Sequence, residues 1–209
     1  MKTDVKSSRV RMTASERREQ LIAVAKTIFS QKGYTSVSIE EVAQRADVSK
    51  PIVYEHFGGK EGLYAVIVDR EVRDLLGRIT EALVAEHPRM RLQQAATAFL
   101  SYIEEEPEGF RILIRDAPAV GATGTLASLI GDIAAQVESI LGQEFKSRGY
   151  DTKMAPIYSR ALVGMVALVG QWWLDEGKPK RDIVAAHLIN VAWNGLSHLE
   201  EKPSLRSAD

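Results

Sequence analysis

The residues best suited to bind another molecule lie between Ser38 and Lys60, where two short helical segments flank a tight turn. The second segment begins at Ser49, a favourable N-cap, has Pro51 in its first turn and ends at Gly58-Gly59. Two short helices joined in this way form a helix-turn-helix, which presents its second helix to the major groove of DNA. The spacing therefore predicts a surface that binds double-stranded DNA.

Two lysines in this stretch stand at helix N-termini, where the macrodipole disfavours a cation by about 0.3–1 kcal/mol. Lys50 and Lys60 are better placed there if an anion is expected, because backbone N–H groups at a helix N-terminus bind phosphate. Alternatively, both side chains extend into solvent at little cost. Tyr54 and His56 fall on the outer face of the second helix beside Lys50, which favours contact with a partner, although a lone exposed histidine is often incidental.

Charge is distributed unevenly along the chain. Residues 1–60 contain eleven Lys and Arg against seven Asp and Glu, whereas the whole chain has a formal net charge of −1. Six basic residues lie within the first twenty: Lys2, Lys6, Arg9, Arg11, Arg17 and Arg18. This N-terminal arm is suited to approach phosphates, or it is a solvated, frayed terminus.

Helical periodicity runs through almost the whole chain. Thr13–Glu16 and Ser38–Glu41 each have the spacing of a capping box ahead of a helix. The second helix of the pair, which is the third along the chain, has about eight residues. An isolated helix needs roughly 12–15 residues in water, so Val53 and Phe57 must dock this one on the two helices before it. Beyond a connecting helix, longer helices are predicted over about residues 90–105, 107–116, 124–148, 154–176 and 181–200.

The composition excludes several classes of protein. The absence of cysteine excludes disulfides, thiolate metal sites and cysteine nucleophiles, and it fits a reducing compartment. The longest mostly apolar run, Ala161–Leu174, is shorter than the roughly 20 residues that span a bilayer, and no secretory signal is visible. We therefore expect a cytoplasmic protein that does not enter membranes.

No catalytic site can be assembled from the sequence. Gly58–Glu61 lacks the spacing of a phosphate-binding loop, and the four histidines contain no metal-binding i, i+4 pair. We expect no enzyme activity, no metal and no cofactor. The alternative is an all-α small-molecule binding protein or enzyme whose helix-turn-helix is incidental, and it predicts no salt-sensitive DNA binding.

The block from Gln20 to Ile67 resembles the TetR family of transcriptional regulators. The resemblance rests on a combination of aligned positions: Ala25, Phe29, Gly33, Tyr34, Ile39, Val42, Ala43, Val48, Ser49, Tyr54, His56, Phe57, Lys60 and Leu63. It implies a set of DNA-binding residues: Ser38, Ser49, Lys50, Pro51, Ile52, Tyr54, His56 and Lys60. Within that set, the family pattern implies DNA-backbone contacts from residues 54, 56 and 60, supported by residue 38 and the arm, and base-edge contacts from residues 50–52.

Two features depart from the family pattern. Glu40 and Glu41 place negative charge at the start of the first helix of the pair, where some members have a basic or neutral residue, and Ile52 replaces the commoner threonine. Direct base readout is therefore expected to be lean. Its main candidates are Lys50 and a thymine-methyl contact from Pro51 or Ile52.

The second domain is expected to contain a pocket between its helices. A mostly apolar lining would suit a small hydrophobic or aromatic effector. The predicted lining residues are Phe99, Tyr102, Ile103, Phe110, Leu113, Ile114, Leu129, Ile133, Met165, Leu168 and Trp172. The alternative for each of them is a place in a packed core.

The last two long helices carry more apolar surface than a small domain needs, which favours a partner. The resemblance implies that they pair with those of a second copy, and a two-fold dimer fits a pseudo-palindromic DNA site. The predicted dimer interface contains Ile157, Ala161, Gly164, Trp173, Leu188, Val191, Ala192, Trp193 and Leu196. The small residues Ala161, Gly164, Ala167 and Gly170 either allow close helix approach there or face the pocket.

The prediction as a whole is an all-α protein with an N-terminal three-helix helix-turn-helix DNA-binding domain and a C-terminal helical ligand-binding and dimerisation domain. The expected segments are residues 1–60 for the arm and DNA-binding domain, 61–86 for a connecting helix, 87–202 for the second domain and 203–209 for a disordered tail. The resemblance implies a homodimeric repressor. As a hypothesis, effector binding tilts the connecting helix, separates the two recognition helices and lowers affinity for the operator.

Overall fold

The computed structural model describes residues 12–84, 87–114, 126–200 and 203–204. In these ranges the regular structure is helical and no strand occurs, which confirms the all-α fold class. The helices are α1 (Ala14–Lys32), α2 (Ile39–Arg45), α3 (Lys50–Phe57), α4 (Lys60–Ala82), α5 (Pro88–Glu105), α6 (Pro107–Ile114), α7 (Leu126–Arg148), α8 (Ala155–Glu176) and α9 (Arg181–Ser197). The chain forms two compact units, residues 1–67 and 68–209, which divide within α4.

The core of the first unit is formed by the apolar faces of α1 to α3 and the start of α4. Its fully buried side chains include Leu21, Ala25, Ile28, Val42, Val53, Leu63 and Ile67. The rings of Phe29 and Tyr64 meet edge to face with their centroids 5.0 Å apart. This shared core stabilises α2 and α3, which have only seven and eight residues and would not persist alone.

Capping differs between the first two helices. At α1 the Thr13 N–H donates to the Glu16 carboxylate (2.8 Å) and the Glu16 N–H donates to Thr13 Oγ1 (3.2 Å), which confirms the predicted box. At α2 the hydroxyl of Ser38 accepts from the Glu41 N–H (3.2 Å), but the Glu41 carboxylate binds Lys32 (2.6 Å). The second predicted box is therefore wrong in its reciprocal half, because an ion pair with α1 engages the glutamate instead.

The turn between α2 and α3 is held from two sides. Its backbone passes through the left-handed region at Asp47 (φ 54°), which aspartate tolerates better than most residues. The Val48 N–H donates to the Ala43 carbonyl (3.0 Å), and the side-chain amide of Gln20 on α1 donates to the Ala46 carbonyl (3.3 Å). The position of α3 therefore depends on α1 as well as on α2.

In the second unit, α5 packs along α9 and α7 packs along α8. The pairing of α5 with α9 is antiparallel. Arg181, at the start of α9, donates to Glu104 near the end of α5 (3.0 Å), and the Arg89 guanidinium at the start of α5 lies 5.7 Å from the ring of Trp193 near the end of α9. This arrangement brings the beginning of α5 and the end of α9 to the same end of the unit.

A buried hydrogen bond joins α4 to α5. The hydroxyl of Tyr102, which is fully buried, donates to Oε2 of Glu71 at 2.8 Å. Helix α6 approaches this pair at Gly109, where an added Cβ would lie closer than 3.0 Å to both the carboxylate and the hydroxyl. Tyr102 is therefore part of the junction of three helices.

The free energy of unfolding of the Tyr102→Phe variant is expected to fall less steeply with rising pH than that of the wild type. Burial, followed by the nearby Glu71 carboxylate, raises the pKa of Tyr102 far above its usual value near 10. Below pH 10 both states keep the proton. Above pH 10 only the unfolded chain loses the proton, so Tyr102 should lower the free energy of unfolding by about 1.4 kcal/mol per pH unit.

The measurement is denaturant unfolding of both proteins at a series of pH values from about 9 to 11, which brackets the unfolded pKa of tyrosine. Tyr54→Phe, the same change at an exposed ring, is the matched control. Parallel pH profiles for the wild type and Tyr102→Phe would show that Tyr102 does not keep its proton in the folded state.

Candidate functional site

The exposed face of α3 carries most of the predicted DNA-binding residues. Ser49 is at the N-cap position, but its hydroxyl forms no capping hydrogen bond. Ser49 and Pro51 are exposed, and Ile52 is half-buried. Tyr54, one turn further on, has 46% of its surface exposed. The structure thus places polar and apolar groups together on a short helix whose opposite side is anchored by the buried Val53.

Lys50, the main candidate for reading bases, has an acidic neighbour. Its ammonium group forms an ion pair with Glu40 at the start of α2, and it lies 5.7 Å from the centroid of the Tyr54 ring. Hydrogen bonding between the pair raises the pKa of Lys50 and lowers the pKa of Glu40. The sequence identified Glu40 only as a departure from a family pattern. Its contact with Lys50 depends on the tertiary placement of α2 against α3.

Lys60 is held at the N-terminus of α4. Its Nζ donates to the carbonyl of Thr35 (3.2 Å) and lies 4.4 Å from the centroid of the Tyr34 ring. These two groups stabilise a cation that the helix dipole disfavours. The ammonium group therefore has partners within the protein, and they explain why a cation is stable at this helix N-terminus.

Arg18 has a role that sequence analysis missed. Its guanidinium donates to the backbone carbonyl of His56 (2.6 Å) and lies 4.5 Å from the centroid of the Phe57 ring. It thus caps the C-terminal end of α3 and covers the half-buried Phe57. Lys and Arg often satisfy the last carbonyls of a helix, but a partner 38 residues away cannot be identified from local spacing.

The remaining predicted DNA contacts have modest local roles. His56 is half-buried, and its ring centroid lies 6.0 Å from that of Phe57. Ser38 is exposed at the N-cap of α2. Arg17, in the first helix, donates to the side chain of Gln20 (2.7 Å). The basic arm at residues 1–11 lies outside the described residues.

An apolar cavity of about 150 Å³ lies within the second unit, between α4, α5, α7, α8 and α9. Four predicted pocket residues line it: Phe99, Leu129, Ile133 and Met165. The other seven do not. Tyr102, Ile103, Phe110 and Leu113 are buried elsewhere in the core, Ile114 is half-buried, and Leu168 and Trp172 are exposed.

Further residues give the cavity its shape and its polarity. Leu75 and Ile79 of α4 line it, as do Leu188, Ala192, Trp193 and Leu196 of α9. Its polar lining residues are Arg91, Glu144, Arg148, Tyr150 and Ser197. They belong to the first turns of α5, to the last turns of α7 and the residues that follow it, and to the end of α9.

These polar residues gather at one end of the cavity. The antiparallel pairing brings the start of α5 to the end of α9, and the hydroxyl of Tyr150, just after α7, donates to the carbonyl of Leu199, just after α9 (3.2 Å). Glu144 and Arg148 form an ion pair there (2.6 Å). The cavity therefore has an apolar body and one polar end.

Helices α8 and α9 expose an apolar surface. Its large side chains, each 47–67% exposed, are Ile157, Leu168, Trp172, Ile183 and Val191. Of the predicted interface residues, Ile157, Ala161 and Val191 are exposed, Gly164, Trp193 and Leu196 are half-buried, and Trp173, Leu188 and Ala192 are buried. The indole N–H of Trp173 donates to the Pro179 carbonyl (2.7 Å), which fixes this side chain inside the chain.

The small residues of α8 divide between the two alternatives. Ala161 and Gly164 lie toward the exposed surface, whereas Ala167 lines the cavity. An added Cβ at Gly170 would lie closer than 3.0 Å to the side chains of Phe99 and Ile103, so this glycine makes room for α5.

None of the helices in the described ranges is long and apolar enough to cross a membrane. The same ranges contain no group of three His, Asp or Glu side chains that could hold a metal ion.

Comparisons with known proteins match both units. Residues 21–67 match the family model described as "Bacterial regulatory proteins, tetR family", and residues 78–207 match "Tetracyclin repressor-like, C-terminal domain". The chain is 30% identical over 195 residues to the HTH-type transcriptional activator FasR of Mycolicibacterium smegmatis, with 90% of this chain and 87% of FasR covered.

Solved structures agree in fold. A TetR-like transcriptional regulator from Rhodococcus sp. RHA1 superposes with a TM-score of 0.70 at 24% identity, covering 90% of this chain and 99% of that one. A tetR-family transcriptional regulator from Streptomyces coelicolor has a TM-score of 0.62 at 29% identity, covering 87% of this chain and 80% of that one.

Proposed function

The chain belongs to the TetR family of transcriptional regulators, and we propose that it represses transcription from a pseudo-palindromic operator, which it leaves when a small apolar effector binds. The observation that carries the proposal is the exposed face of α3, with Lys50 and Tyr54 on it, in the region that matches the family's N-terminal model. The enzyme considered from the sequence has less support, because the similar proteins are named as regulators.

Selection of bound DNA tests the proposal. Purified full-length protein would be incubated with randomised duplexes, and the bound fraction sequenced after several rounds. A two-fold symmetric motif is expected, with half-site centres about one helical turn, or 34–36 Å, apart. Enrichment of no motif by a folded protein would contradict sequence-specific regulation.

Lys60→Ala should weaken binding to all DNA sequences to a similar degree. If the lysine exchanges the Thr35 carbonyl for a phosphate, the variant loses one phosphate contact, and the slope of log affinity against log salt should fall by about 0.9. The measurement is an anisotropy titration at several salt concentrations. Lys153→Ala, the same change of charge at an exposed position of the second unit, is the control. Equal slopes for the two variants would assign Lys60 a local structural role only.

The protein is proposed to act as a homodimer through the exposed apolar surface of α8 and α9. The proposed interface consists of Ile157, Ala161, Gly164, Leu168, Trp172, Ile183 and Val191. It retains Ile157, Ala161, Gly164 and Val191 from the sequence prediction. It omits the five predicted residues that are buried or line the cavity, and it adds Leu168, Trp172 and Ile183. Pairing about a two-fold axis would bury apolar side chains that a single chain leaves in water.

The cavity supports a small, mainly apolar effector with one polar or charged end. Apolar contacts would come from Phe99, Leu129 and Ile133, and hydrogen bonds or charge from the end that contains Arg91 and Tyr150. Helix α4 supplies cavity residues and also packs in the core of the first unit, which supports coupling through this helix. A compound that binds the cavity and leaves operator affinity unchanged would contradict the coupling.

Activation of transcription is the second candidate, favoured by the printed name of FasR, which is 30% identical. Transcription in vitro from a template carrying the selected operator would separate the two. Repression predicts less transcript when the protein is added, whereas activation predicts more.

A further inference from the structure

Glu40 and Lys50 form a polar pair at the front of the helix-turn-helix. The lysine is the first residue of α3, and the glutamate lies in the first turn of α2. The side chain of Glu40 remains 62% exposed and that of Lys50 46% exposed, although they contact each other. The pair therefore stands at the surface that α3 offers to DNA and is not part of the core.

An exposed pair of this kind holds its partners only weakly. Ion pairs in contact with water contribute little net stability, so DNA groups can compete for both members. The mutual pKa shifts of Lys50 and Glu40 show that each favours the charged form of the other. A cation and a carboxylate are thus kept side by side, both charged and both accessible.

The phosphate backbone and the base edges of DNA present different partners to this pair. The phosphate backbone offers only negative charge, which attracts Lys50 but repels Glu40. In the major groove, a G·C base pair offers the guanine O6 and N7 acceptors beside the cytosine N4 amino donor. That pattern of acceptor next to donor is complementary to an ammonium group next to a carboxylate.

We propose that Glu40 and Lys50 together read one G·C base pair in each half-site, with Lys50 donating to guanine and Glu40 accepting from cytosine. This inference rests on the proposed function as a sequence-specific regulator. It makes Glu40 a specificity-determining residue. Where no cytosine amino group faces it, the Glu40 carboxylate repels the phosphates and keeps Lys50 from acting as a free phosphate contact.

The test uses full-length wild type and the Glu40→Gln variant, each subjected to selection from randomised duplexes and then to anisotropy titrations with the selected operator and a scrambled duplex. Glu55→Gln is the matched control, because Glu55 is exposed on α3 and the change removes the same charge. Lys50→Gln and the double variant complete a cycle that measures coupling between the two side chains.

The inference predicts a fixed G·C pair in each half of the wild-type motif and loss of that preference in Glu40→Gln. The ratio of operator to scrambled affinity should fall at least about fivefold, and the salt slope should steepen by about one as Lys50 becomes a phosphate contact. Glu55→Gln should keep the wild-type motif, and the two single changes should not add.

Three results would overturn the inference. Identical motifs and affinity ratios for Glu40→Gln and Glu55→Gln would show that Glu40 reads nothing. Additive effects of the Glu40 and Lys50 changes would show that they act separately. If the wild type itself enriched no sequence, the proposed function would fail, and the inference that rests on it would fail too.

Discussion

Gly62→Ala is expected to lower the free energy of unfolding of the first unit by about 3 kcal/mol, at the upper end of the usual cost of overpacking. An added Cβ at Gly62 would lie closer than 3.0 Å to the carbonyl oxygen of Phe57, the last residue of α3. A side chain could rotate away from such a contact, but a backbone carbonyl cannot. The end of α3 would have to shift relative to α4.

Chemical denaturation followed by circular dichroism would measure this effect, and affinity for the selected operator should fall with it. Gly77→Ala is the matched control, since Gly77 lies in the same helix and an added Cβ there would meet nothing within 4 Å. The control should gain up to about 1 kcal/mol from the higher helix propensity of alanine. Similar stability for the two variants would mean that α3 and α4 do not approach each other closely at Gly62.

Leu168→Glu is expected to abolish the proposed dimer while leaving the folded chain intact. Leu168 is 67% exposed in the single chain, so glutamate costs little there. In the proposed interface the same carboxylate would be buried without a partner, at a cost of about 3–5 kcal/mol. The dissociation constant of the dimer should therefore rise at least about a hundredfold.

Sedimentation analysis over a range of protein concentrations would measure the change. Val84→Glu, at a position that is 80% exposed outside α8 and α9, is the control and should remain dimeric. A Leu168→Glu protein that dimerises as tightly as the control would exclude this surface from the interface. Loss of helical structure in Leu168→Glu would instead point to a role of Leu168 inside the chain.

The helix-turn-helix was predictable because its signals are local. Ser38 and Ser49 mark helix starts, Pro51 fits a first turn, and Gly58 (φ 73°) ends α3 as only a residue tolerant of the left-handed region can. These features fix φ and ψ within a few residues of where they occur. Periodicity also placed the long helices of the second unit close to their observed bounds.

Contacts between distant elements could not be predicted in the same way. The pairs Glu40–Lys50, Lys60–Thr35 and Arg18–His56 each join residues ten or more positions apart. Their geometry depends on how short helices pack, and many surface charges would satisfy the same composition. Charge pattern alone therefore indicated a basic surface but not which groups within it are already engaged.

The division of apolar residues between cavity, core and proposed interface was harder still. Helix α8 is apolar around much of its circumference, so its periodicity does not identify one buried face. Trp172 and Trp173 illustrate this: the first is 52% exposed and the second only 5%. A rotation of about 100° between neighbouring residues separates them, and only the packing of α8 decides which one is inside.

Fluorescence anisotropy would show whether this chain binds one DNA sequence in preference to others. The full-length protein would be titrated against duplexes that flank its own gene and against a scrambled duplex, at several salt concentrations. A sequence-specific regulator should bind a native duplex more tightly and lose affinity steeply with salt. Equal, weak and salt-insensitive binding to all duplexes, with no motif recovered from a randomised library, would contradict sequence-specific binding.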